Sequence, residues 1–134
     1  MSEENVEVIR RGMAVINEGR LKPVLEFIDE FVDPDIELRV GRLPDVDRGG
    51  GRERVKAFWA EIMKTFEWRF EADELIDAGD AVILVARLIA RGRESGAEVT
   101  DPIAMVYGFR DGRVISTDAY KTKREALEAA GLSE

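Results

Sequence analysis

The stretch from Asp80 to Tyr120 constrains the fold most. It reads as three long β-type runs separated by two turn signals, Gly92–Gly96 (GRESG) and Asp111-Gly112. Asp-Gly between apolar runs predicts a tight hairpin, because both central positions tolerate φ > 0. A twisted meander of this kind has an apolar face that another layer must cover. The residues before Phe66 read as that cover.

They supply three helical patterns. Ser2 to about Asn17 carries Val6, Ile9, Met13 and Ile16 at spacings of three and four, with Gly19 as the stop. A second helix opens at Lys22-Pro23 and carries Val24, Leu25, Phe27, Ile28 and Phe31, ending at Asp33-Pro34. Ile36–Val40 predicts a short strand, and 41–51 (GRLPDVDRGGG) a loop. Arg52 to Thr65 has the fullest stripe, with Val55, Phe58, Trp59, Ile62, Met63 and then Phe66. Trp68, Phe70 and Ala72 alternate with charged residues as in a strand with one wet face. Thr122-Lys123-Arg124-Glu125 is a capping box for a terminal helix ending at Gly131. A chain of 134 residues predicts one domain, 1–134.

Composition excludes more chemistry than it suggests. A net charge of −8 argues against a nucleic-acid partner, and no apolar run approaches a membrane span. The acidic start MSEENVE is unlike a signal peptide, so a cytoplasmic location is expected. Histidine and cysteine are both absent, which removes Ser-His-Asp and Cys-His catalysis and the common zinc sites. Gly49-Gly50-Gly51 is not followed by Lys-Ser/Thr, so it is no P-loop. No metal or cofactor is expected, and proton transfer would fall to Asp, Glu, Tyr, Lys or water.

The order helix, helix, short strand, helix, four strands, helix, with INEGRLKPVLEFIDEFVDPDIELRV, FRDGRV and AYKTKREALEAAGL, resembles the nuclear transport factor 2-like superfamily, and within it the SnoaL-like (polyketide-cyclase-like) proteins. The resemblance implies an α+β fold: a cone-shaped, curved, mixed but largely antiparallel sheet wrapped around N-terminal helices, with a central pocket. Such folds carry isomerases, epoxide hydrolases, cyclases and non-catalytic binding modules, so fold alone does not choose among them. Ketosteroid isomerases of this group place a Tyr, a general base and a protonated Asp at positions matching Gly12, Arg39 and Ala104, and this chain has none of the three. The Asp-Arg-Asp set of the limonene-epoxide-hydrolase branch maps to Leu88, Ala86 and Ala119, with Arg87 and Asp118 one residue away. In a strand that one residue decides which face a side chain takes.

Glu37 and Arg39 occupy pocket positions in both comparisons and, two apart on a strand, share a face. A carboxylate there could move a proton while the guanidinium steadies an oxyanion; alternatively the two form a structural ion pair. Asp118 is a third candidate if the last strand's register brings it inward; the opposite register turns Asp118 and Tyr120 outward. Trp59 and Met63 line the pocket or pack the core, and Ala104, Val106, Thr117 and Ala119 are the remaining ligand-contact candidates. Arg87 and Arg91 read as outer-face residues. Two functions stay open: a cofactor-free hydrolase, isomerase or aldol-type cyclase acting on a small apolar compound, and a ligand-binding or dimerisation module. A homodimer through the sheet's outer face is expected, because Leu84, Ala86 and Leu88 alternate with apolar Ile83, Val85 and Ile89 and the helices can cover only one face.

Overall fold

The computed structural model describes residues 2–40 and 51–132, with side chains described for 3–36 and 51–132. The elements run α1 (Ser2–Asn17), α2 (Leu21–Phe31), β1 (Val32–Val40), α3 (Gly51–Thr65), β2 (Phe66–Asp77), β3 (Ala81–Gly92), β4 (Glu98–Arg110), β5 (Arg113–Tyr120) and α4 (Lys123–Ala129). The expected loop at 41–50 lies outside the described residues. One mixed, open sheet takes the order β1-β5-β4-β3-β2, with β1 parallel to β5 and the other pairs antiparallel. The α+β architecture expected from the element order is present.

Local chemistry sets the turns. Asp111 (φ 53°) and Gly112 (φ 78°) both adopt the left-handed region, as a two-residue hairpin requires. In the GRESG turn the Gly92 N–H donates to the Ala97 carbonyl at 2.9 Å. Thr122 caps α4 by accepting from the Glu125 N–H at 3.1 Å. β1 starts earlier than the Ile36 expected from sequence: Val32 already pairs with Val114, and the register then shifts before Glu37. That irregularity is what lets Pro34, which has no N–H to give a ladder, sit inside the strand.

Two bulges curve the sheet. Asp73 is an extra residue in β2 between the Ala72–Ala86 and Glu74–Val85 pairs, and Ile115 is one in β5 between Gly108–Ser116 and Phe109–Val114. The concave face carries Phe70, Val82, Leu84, Ala86, Phe109 and Val114, buried against Ile9, Met13, Val24, Ile28, Val55 and Met63 of the three helices. At the free edge of β2, the Asn17 carboxamide makes two bonds to one residue. Its Nδ2 donates to the Phe70 carbonyl at 3.0 Å, and its Oδ1 accepts from the Phe70 N–H at 2.9 Å. The end of α1 thereby satisfies backbone groups that an edge strand leaves open.

The second face corrects an expectation. α4 covers part of this outer face, Ala126 and Leu127 packing on Ile83, Ala104 and Val106. Nearer the β2–β3 end this outer face is polar, with Arg87 3.6 Å from Glu71 and 3.9 Å from Asp73. The apolar part of the outer face is thus smaller than the alternation of apolar residues predicts. The α3 stripe is also narrower than its spacing predicts, since Phe58 keeps 40% of its surface exposed.

Candidate functional site

Between the three N-terminal helices and the concave face lies a cavity of about 100 Å³. Its roof is α1 and α2, including Ile16, Val24 and Ile28; Trp59 of α3 closes one side. Its floor is the sheet, with Phe70, Tyr107, Val114 and Thr117. None of the described residues that line it carries a charge.

Trp59 is held by an aromatic triad. Its ring meets Trp68 edge-on at 5.9 Å and Phe70 at 6.5 Å, and those two meet each other at 6.1 Å. Such edge-to-face pairs favour one orientation of each ring, so this wall is defined rather than fluid. Opposite, Gly12 of α1 faces the Phe27 ring: a Cβ at residue 12 would come within 2.9 Å of it. The position that carries a Tyr in the isomerase branch is thus held small by an aromatic ring that itself lines the cavity.

Two of the described lining residues, Tyr107 and Thr117, carry hydroxyls. Tyr107 and Thr117 are cross-strand partners on β4 and β5 and so share the concave face. The Thr117 Oγ1 is buried with no hydrogen-bond partner among the described residues. Tyr107 is half-buried and lines the cavity, and the surrounding protein desolvates its phenol. That burial disfavours the phenolate and pushes its pKa well above the ordinary value of 10.0. At neutral pH Tyr107 is a neutral hydroxyl that can donate or accept a hydrogen bond.

The residues singled out from sequence fall in four places. Trp59 and Thr117 line the cavity. Met63 is buried in the core beneath the helices and does not reach it. Ala119 lies at a different, open depression with Leu88, Ile103 and Tyr120. Ala104 and Val106 are on the other face of the sheet, under α4. Their partners explain this: Ala104 pairs with Tyr120 and Val106 with Asp118, and cross-strand partners share a face. Asp118 accordingly goes with Val106, away from Thr117. For Glu37 and Arg39 the backbone is described and the side chains are outside the described residues. Glu37 pairs with Ser116, Leu38 with Thr117 and Arg39 with Asp118.

Tyr107 escaped the sequence reading. Counting back from the Asp111-Gly112 hairpin without a bulge puts Tyr107 opposite Ser116; the extra residue Ile115 moves it opposite Thr117. The available signal was a lone Tyr within the apolar run IAMVYGF. Among the described residues, no group of three or more Asp or Glu side chains could hold a metal ion, and no helix is long and apolar enough to cross a membrane.

Comparisons with known proteins agree with this architecture. The SnoaL-like domain family matches residues 9–117. A protein from Jannaschia sp. CCS1, assigned as a SnoaL-like polyketide cyclase, superposes with a TM-score of 0.73 at 23% identity, covering 96% of this chain and 91% of its own. A protein with a ketosteroid isomerase-like fold from Catenulispora acidiphila DSM 44928, solved in complex with trimethylamine, gives 0.69 at 16% identity, covering 94% and 93%. TerC co-crystallised with polyporic acid gives 0.69 at 20% identity, covering 96% and 98%. At these identities the structural likeness speaks for the fold alone. None of the curated proteins matches the sequence. With most of its length matched by the family and its fold shared along almost the whole chain, the protein belongs to the SnoaL-like domain family of the nuclear transport factor 2-like superfamily.

Proposed function

We propose that this chain binds a small, mostly apolar molecule in the cavity between α1–α3 and the sheet. The observation that carries the reading is a mostly apolar cavity, none of whose described lining residues is charged, with Tyr107 and Thr117 side by side on one wall. Apolar walls with a few placed polar groups are the usual form of a small-molecule site. Two proteins of the same fold were solved with small organic molecules, trimethylamine and polyporic acid, which supports a ligand-binding reading here.

Trp59 reports on occupancy. Saturating addition of a small neutral apolar compound should change tryptophan emission, the change surviving Trp68→Phe and vanishing in Trp59→Phe. The reverse pattern would place the ligand elsewhere and defeat the reading.

A catalytic form of the same proposal uses Glu37 as general base with Arg39 beside it. Its support is the resemblance, which puts both positions at the pocket; in the backbone register it is Leu38 that pairs with Thr117, while Glu37 pairs with Ser116 and Arg39 with Asp118. Glu37→Gln should then abolish turnover of a substrate found for the protein and leave folding intact, and full retained activity would remove Glu37 from the role. A homodimer through the outer face also belongs to the proposal. Its partner surface would be the charged β2–β3 end, and sedimentation as a monomer at micromolar concentration would count against it.

A further inference from the structure

Among the described residues that line the cavity, Trp59, Tyr107 and Thr117 carry a side-chain nitrogen or oxygen. We propose that Tyr107 orients the ligand, its phenol O–H donating a hydrogen bond to an acceptor oxygen or nitrogen on an otherwise apolar molecule. This rests on the binding proposal above and deepens it, naming the residue that holds the ligand and the chemical group it holds.

Access and existing bonds decide which of the three can meet a ligand. Thr117 Oγ1 is sealed by its surroundings, so it is not offered to the cavity. Among the described residues the sealed, unpartnered side-chain atoms are Arg52 Nε, Trp68 Nε1 and Thr117 Oγ1, and the Tyr107 oxygen is not one of them. Tyr107 also makes no side-chain hydrogen bond among the described residues, and desolvation alone shifts its titration. A half-buried tyrosine whose oxygen is neither sealed nor bonded keeps that oxygen within reach of a ligand. The Trp59 indole N–H, half-buried on the neighbouring wall, is likewise neither sealed nor bonded.

The phenol is also in the right protonation state. The surrounding protein disfavours its phenolate, so at neutral pH the proton to be donated is present. Its strand, β4, lies between β3 and β5 and spends its backbone groups on their ladders. A hydroxyl left unbonded in desolvated surroundings costs free energy, which a bound acceptor returns.

Both accessible groups present a proton. The indole N–H can only donate, and the phenol O–H donates as well as accepts. An apolar molecule with a carbonyl or ether oxygen meets that polarity. A hydrocarbon of the same shape leaves the phenol unpaired, and a site that pairs a polar group discriminates against the analogue lacking it.

Acetophenone and α-methylstyrene test this, because they share a shape and differ in a carbonyl oxygen against a methylene. In calorimetry Tyr107→Phe should weaken acetophenone about five- to tenfold and leave α-methylstyrene within about twofold of wild type. The infrared stretching band of the bound carbonyl, isolated by isotope-label difference, should lie lower in wild type than in hydrocarbon solvent. In Tyr107→Phe it should move back toward the solvent position. Should the variant fail to fold, the wild-type band decides alone. Unchanged acetophenone affinity in the folded variant, or a wild-type band at its hydrocarbon position, would overturn the assignment of Tyr107 and leave the binding proposal standing. If neither compound binds the wild type, both fail.

Discussion

Replacing Tyr107 by Phe removes one oxygen and should make folding stability less sensitive to alkali. The phenol loses its proton near pH 10 in the unfolded chain. Burial raises the folded pKa above that value, with desolvation as the cause. Below pH 10 both states hold the proton, and the group adds no pH dependence. Above it the unfolded state loses its proton first, so the native state binds more protons and stability falls as pH rises, until the folded pKa is reached. The slope is about 1.4 kcal/mol per pH unit for one proton, so at pH 11 wild type should have lost about 1.4 kcal/mol that Tyr107→Phe retains. The remaining ionisable groups are identical in the two proteins, so their contributions cancel in the difference. At pH 8 the variant should lie within about 1 kcal/mol of wild type, since no side-chain hydrogen bond of Tyr107 is lost among the described residues. Urea unfolding followed by circular dichroism at pH 8, 10 and 11 gives the three differences. A difference between wild type and variant that does not change from pH 8 to pH 11 would refute the assignment of Tyr107 as a desolvated phenol.

Two further substitutions separate the layers of the fold. Asn17→Ala removes both bonds to the Phe70 backbone and should cost about 1–3 kcal/mol in urea unfolding, with Asn17→Asp recovering only the accepted bond. Leu127→Ala, at a residue 6% exposed beneath which Ile83 and Val106 pack, should cost about 2–4 kcal/mol and leave the affinity of a cavity ligand unchanged, because α4 lies on the opposite face.

What was legible in the sequence is local chemistry. Asp111-Gly112 announces its hairpin because left-handed backbone at two successive positions leaves few residue choices. Thr122 and Glu125 announce α4 for the same kind of reason, a cap satisfied within four residues. The order of elements follows, and with it the family. Which face a strand residue takes was legible only between bulges. Ile115 inserts one residue into β5 and resets every partner of β4 beyond it, which is why Tyr107 was missed. Alternation does not say which of the meander's two apolar faces the N-terminal helices cover, so it leaves the face of Ala104 and Val106 open. The small terminal helix resolves that question through tertiary packing of Ala126 and Leu127. For Glu37 and Arg39 the pattern offers a strand and a spacing, and the backbone pairs add their partners on β5.

The central claim is that a ligand sits between the helices and the concave face. Nuclear Overhauser contacts between a bound single-ring compound such as phenol and the protein's methyl groups test it most directly. The account predicts contacts to the methyls of Val24, Ile28, Val114 and Thr117, which surround the cavity. Contacts confined instead to Leu88, Ile103 and Ala119, at the open depression near the end of β5, would contradict it.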